Sequence, residues 1–194
     1  MFSGVISLVV AKEVATAQLD TRVIADAHYT SGASYEITYD ISSRGEITGN
    51  IDEFRTKVAE IYADERGWIR AGVKFKEVES GGQMHVILAT GDEVKKASPS
   101  VCSDELSCRV GQNVLINDAR WMGGSDAYNA LGVSLENYRR MVVNHETGHF
   151  LGHDHLEHCE TNGGLGAVMI RRAQDLGVCS PTSWPLPSEL WVRR

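Results

Sequence analysis

The sequence predicts a single α+β domain, and three observations carry that prediction. Runs of alternating apolar and polar residues, as a half-buried strand requires, are interleaved with segments whose apolar residues recur at helical spacing. The order is strand, helix, strands, helix, and beyond Gly152 the pattern turns irregular, with Gly163, Gly164, Gly166 and three prolines from 181 onward. A length of 194 residues, 42% of them hydrophobic and 23% charged, suits one domain with a proper core. No internal repeat and no low-complexity segment interrupts it.

The elements follow in order. Tyr35, Ile37, Tyr39 and Ile41 alternate with polar residues and predict a strand. Asn50 followed by Glu53 resembles a capping box, opening a helix with Ile51, Phe54, Val58 and Ile61 on one face and Gly67 beyond its end. Val73 to Val78 and Met84 to Ala89 read as two further strands. Residues 90–112 read as a long polar loop, clipped by cysteines and holding Pro99, and Asn113 to Asn117 as another short strand. Ser134 is expected to cap a helix in which Leu135, Tyr138 and Val142 lead onto His145 and His149. The two histidines thus continue an apolar face and stand at the edge of the core.

A formal net charge of −7 and a pI near 5.5 offer no basic patch for nucleic acid. No run of about twenty apolar residues exists, so no clear membrane span is expected. In residues 1–30, Phe2 to Ala11 is a short apolar run and Ala15-Thr16-Ala17 resembles a small-residue cleavage site. No basic residue precedes the run, and Lys12 and Glu13 interrupt it. The segment reads as a degenerate signal or anchor, with a buried N-terminal segment as the alternative.

The chemistry concentrates in His145 to His155, H-E-T-G-H-F-L-G-H-D-H. On a helix, His145 and His149 lie one turn apart on nearly the same face and can share one metal ion. Glu146 lies beside them, placed to reach a water on that metal. Gly152 can take the left-handed conformation that ends a helix, and the resulting turn would swing His155 back as third ligand. From the composition, 19 Gly and 7 His, that extra glycine and histidine would be met by accident about once in three hundred trials. Three protein ligands leave one position open, the mark of a catalytic zinc ion. His153 and His158 compete for the third place, but a break at Gly152 favours His155. His28 and His85 read as isolated structural or solvated residues, and Trp121 and Trp184 as packing residues.

At these residues the chain resembles the metzincin clan of zinc peptidases, whose signature is HExxHxxGxxH followed by a methionine-containing turn. Met169, in G-A-V-M-I, stands in the right direction for that turn. A wider likeness joins residues 67–75, 107–117, 120–124, 138–149 and the ending C-S-P-T-S-W-P to a bacterial family of exported, functionally uncharacterised metzincin-like proteins. The resemblance implies a zincin domain: a mixed twisted sheet, a backing helix and an active-site helix within an upper subdomain (31–152), then a small irregular lower subdomain (153–194). It also implies that Met169 packs beneath the metal, and that a strand ahead of the helix offers its edge to extended substrate; Asn113 to Asn117 is the best candidate, with an internal structural strand as the equal alternative. Several metzincins have tyrosine two residues after the methionine; here that position is Arg171, read as a solvated residue.

Cys102 and Cys108 enclose five residues and Cys159 and Cys179 nineteen, neither being a zinc-ribbon spacing. Sequential pairing is the preferred one of three connectivities and points to an extracytoplasmic location. The expected function is zinc-dependent peptide hydrolysis by a monomer, with one catalytic Zn2+, His145, His149 and His155 as ligands, Glu146 as general base and a peptide or protein as substrate. A zinc hydrolase of another amide, in cell-wall peptide or a small molecule, is the nearer alternative. A non-catalytic binding module that keeps its metal is the farther one, and Glu146 speaks against it.

Overall fold

The computed structural model describes residues 35–156, 159, 164–171 and 179–192. The N-terminal segment 1–30, His28, His158 and Gly163 lie outside the described residues. Among those described, β1 (Tyr35–Arg44), β2 (Val73–Glu77), β3 (Met84–Ala89), β4 (Cys108–Val110) and β5 (Asn113–Asn117) form one sheet in the order β2-β1-β3-β5-β4. All neighbours run parallel except β4, which is antiparallel to β5, so the sheet is mixed and the fold is α+β.

Parallel pairing requires crossovers, and these cover both faces of the sheet. Helix α1 (Ile51–Ala63) and α5 (Leu135–Phe150) lie over one face, where Ile37, Tyr39, Ile41, Met84, Val86, Leu88, Val114 and Ile116 join Phe54, Val58 and Val142 in a single core. The opposite face is smaller: Ile87, Ala89 and Leu115 meet Val94 of helix α2 (Gly91–Ala97) and Cys102. Burial on both sides is why β3 and β5 read as near-continuous apolar runs while β1 alternates.

Three expectations are revised, and two short helices are added. The stretch 90–112 is not all loop, since it holds α2 and the edge strand β4. Helix α2 buries only Val94, too little apolar periodicity to mark a helix in sequence. Asn117 ends β5 and at once caps helix α3 (Asp118–Gly123), its side chain accepting from Ala119 and Arg120, and α4 (Asp126–Ala130) follows directly. The capping box at Asn50 is half made: its side chain accepts from Asp52 and Glu53 N–H at 2.9 and 3.0 Å, but the Glu53 carboxylate bonds Arg139 at 2.8 Å instead of turning back. Finally, β5 is not an edge strand. The chain reverses at Gly111 (φ 58°), so that Cys108, Arg109 and Val110 pair with Leu115, Val114 and Asn113 and cover its outer side.

Beyond Gly152 the chain returns to the main core, where Val168, Met169, Ile170, Trp184 and Leu186 are buried. Trp121 and Trp184 are both fully buried packing residues. Cys102 is joined to Cys108 and Cys159 to Cys179, the sequential pairing. Among the described residues no helix is long and apolar enough to cross a membrane.

Candidate metal centre

Helix α5 carries the first two histidines, and its two ends are set by local chemistry. The Ser134 side chain accepts from Asn137 N–H at the start. At the end Gly152 takes φ 101°, a conformation open to glycine at little cost. The N–H of Gly152 then bonds His149 O at 3.2 Å and that of His153 bonds Gly148 O at 3.0 Å, the paired bonds of a Schellman turn. The reversal carries His155 back over α5. Its neighbour Leu156 is tied to the methionine turn on both sides, donating to Met169 O and accepting from Arg171 N–H, each at 2.8 Å.

The three rings converge. His155 Nε2 lies 3.3 Å from His145 Nε2 and 3.1 Å from His149 Nε2, and the three ligand atoms all lie within 4.8 Å of one another. Nitrogens bound tetrahedrally to one ion at roughly 2.0–2.1 Å would stand about 3.3 Å apart, so the spacing fits a shared metal.

Proton bookkeeping points the same way. His145 Nδ1 donates to Val168 O at 2.7 Å, and His149 Nδ1 donates to His153 O at 2.8 Å. A neutral imidazole holds one ring proton, so both Nε2 atoms present bare lone pairs. Burial and the neighbouring His149 push His145 down to about 3, and burial also lowers His149, so neither is a cation at neutral pH. His155 Nε2 can offer a proton to one of these lone pairs at most. A cation at their meeting point converts the remaining repulsion into ligation, with the backbone carbonyls fixing tautomer and ring direction. These three residues could therefore hold a metal ion.

His153 stands apart from this cluster. Its ring is packed against Trp68 and Trp191, with centroids 4.8 and 3.8 Å away, and its Nε2 bonds Trp191 O at 2.8 Å. His85, on the sheet, pairs with Asp40 at 2.9 Å.

Glu146, beside His145, is buried against the cleft, and that burial pushes its carboxyl up to about 8. The folded chain therefore holds one more proton there than the unfolded chain between pH 4.5 and about 8; the associated stability is full below 4.5 and lost as pH rises toward 8. His145 acts oppositely, with stability full above 6.5 and lost as pH falls toward 3. From pH 6.5 to 8, then, chelator-stripped protein should lose about 2 kcal/mol as Glu146 titrates. Glu146→Gln should remove that decline, and a flat wild-type melting profile over this range would contradict the assignment.

Met169 is fully buried directly under α5. A Cβ built on Gly148 would stand 2.2 Å from Met169 Sδ and 2.9 Å from Trp68 Cζ2, so the helix has no side chain where the methionine packs. Gly148→Ala should destabilise despite alanine's helix preference of about 1 kcal/mol. Overpacking of this kind typically costs 1–3 kcal/mol, and two close neighbours place it at about 2–3. Denaturant unfolding measures it; a stabilised variant would show that the packing is loose.

The turn itself is held by a residue that sequence reading missed. Glu189 is buried and accepts from the N–H groups of Val168, Met169 and Leu186 at 3.0, 2.8 and 2.8 Å. It thereby fixes the peptide whose carbonyl orients His145. Trp68 does a similar service for α5, donating to Asn144 O at 3.0 Å.

His145, His149 and His155 border an open cleft of about 810 Å³, whose walls also include Cys108 and Arg109 of β4, Glu146, Asp154 and Arg171. Among proteins already known, the family described as "Protein of unknown function (DUF3152)" matches residues 12–186. No curated protein and no solved structure matches the chain.

Proposed function

We propose that this chain, which belongs to the DUF3152 family, is a zinc-dependent metallopeptidase of metzincin type. One observation carries the reading: three Nε2 atoms meet at metal-ligand spacing on the wall of a cleft, beside a buried carboxylate. Three imidazoles at tetrahedral spacing suit zinc, with one position left for chemistry. Zinc held there supplies Lewis-acid activation of a water and of the substrate carbonyl. Glu146 takes the proton from the attacking water and hands it to the leaving amine, so no Ser or Cys nucleophile is required. Met169 supports the histidines from below without binding the metal.

The subdomain reading goes with this: of the described residues, those up to Gly152 form the upper wall, ending in α5, and those after it the lower wall. Since β4 is the edge strand, it takes the substrate-pairing role expected of residues 113–117, offering main-chain hydrogen bonds with little side-chain preference. The two disulfides are compatible with an oxidising, extracytoplasmic setting.

The test is zinc analysis of purified protein together with cleavage of a mixed peptide library, with and without chelator. One equivalent of zinc and chelator-sensitive cleavage are expected. A chain that stays metal-free in excess zinc would end this reading. Zinc retention with hydrolysis confined to wall peptide or a small amide would change the substrate, and retention with no hydrolysis would leave a binding module.

A further inference from the structure

We propose that Arg109 receives a carboxylate of the bound peptide, so that the cleft selects substrates with an acidic group at one fixed position. The proposal rests on the peptidase reading only for the ligand being a peptide. The demand for an anion comes from Arg109 itself.

Arg109 is the middle residue of the edge strand β4 and pairs with Val114. Val114 belongs to the core under α5, whereas Cys108 and Val110 pack with Leu115 on the other face. Side chains opposite one another in a ladder share a face, so Arg109 projects toward α5. It accordingly lines the cleft together with His145, Glu146, His149 and His155.

Its Nε is buried with no hydrogen-bond partner, and among the described residues its side chain forms no ion pair. Among the other described arginines, Arg55, Arg66, Arg139 and Arg140 pair with carboxylates, and Arg120 binds a main-chain carbonyl. Arg109 as a whole is half-buried, so it is the enclosed Nε–H, on a guanidinium that keeps its charge and whose planar fork matches a carboxylate, that favours an arriving anion. Proximity to a metal ion adds like-charge repulsion, which an incoming anion relieves. An extended peptide on the edge of β4 would turn every second side chain to the face that Arg109 occupies. Asp154, which also lines the cleft, and the net charge of −7 oppose general attraction of acidic chains. The selection is therefore positional.

The test uses zinc-loaded Glu146→Gln protein, so that binding is read without turnover. Acetylated, amidated hexapeptides carry a single glutamate moved through each position, each against its glutamine counterpart. A second pair of neutral peptides ends in a free carboxylate or an amide, separating a side-chain carboxylate from a chain terminus. We expect one glutamate position, or the free terminus, to tighten binding about tenfold by calorimetry. In the Arg109→Gln background that ratio should fall to near one, and Arg109→Lys should restore part of it. Absence of any acid preference, a preference unaffected by Arg109→Gln, or equal weakening of acidic and neutral peptides would each overturn the role. Acid-selective binding by a protein whose wild type cleaves no peptide would uphold Arg109 while removing the peptidase reading. Cleavage by the wild type without acid selectivity would do the reverse.

Discussion

Glu146→Gln should lower peptide hydrolysis about a thousandfold while leaving the zinc content unchanged, the centre of the range for losing a general base. Glutamine matches glutamate in shape but cannot accept the water proton, and it supplies no ligand to a site already served by three imidazoles. The buried position of Glu146 sharpens the expectation, since a carboxylate pushed up to about 8 is returned to its charged form by an adjacent divalent cation. On the proposed reading, metal binding and base function are coupled in wild type and separated in the variant. Zinc stoichiometry by atomic spectroscopy and kcat on any cleaved peptide read the two effects independently. Turnover above a tenth of wild type would remove Glu146 from the proton path.

His155→Ala should weaken zinc binding by more than 100-fold, since even losing a group that merely orients a ligand costs roughly 10–100-fold. Of the three histidines it is the most exposed, so its loss opens no core cavity and the fold should persist. Saturating zinc should therefore raise the melting temperature of wild type but not of the variant, because only a ligand that binds the folded state stabilises it. His153→Ala makes the contrast. Packed against Trp68 and Trp191, that side chain supports the turn, so its removal should lower stability while saturating zinc still raises the melting temperature. Equal zinc response in wild type and His155→Ala would show that the third ligand lies elsewhere.

Much of this site is legible before any coordinates. The spacing of His145, Glu146 and His149 follows from helical pitch, and Gly152 marks the reversal that brings His155 round. The strands from Tyr35, Val73, Met84 and Asn113, and the helices opening at Asn50 and Ser134, are likewise visible as periodicities. Weaker signals were lost. Helix α2 buries one residue, β4 spans three, and α3 starts on the residue directly after β5, leaving no loop between them. Each is shorter than the window in which a period can be counted. That residues 113–117 form an internal strand rather than an edge was open for a related reason: the β4–β5 reversal at Gly111 is too brief to separate two strands in the sequence.

What the sequence determines by itself is local: which residues share a helix face and where the helix stops. Tertiary structure decides the rest. Val168 O and His153 O turn the imidazoles, Glu189 holds the methionine turn, Gly148 clears room for Met169, and the Arg109 Nε finds no hydrogen-bond partner among the described residues. Backbone carbonyls look alike in every sequence, and clearance beneath a helix depends on a segment some twenty residues on. Such relations are set by distance in space, which no repeat along the chain records.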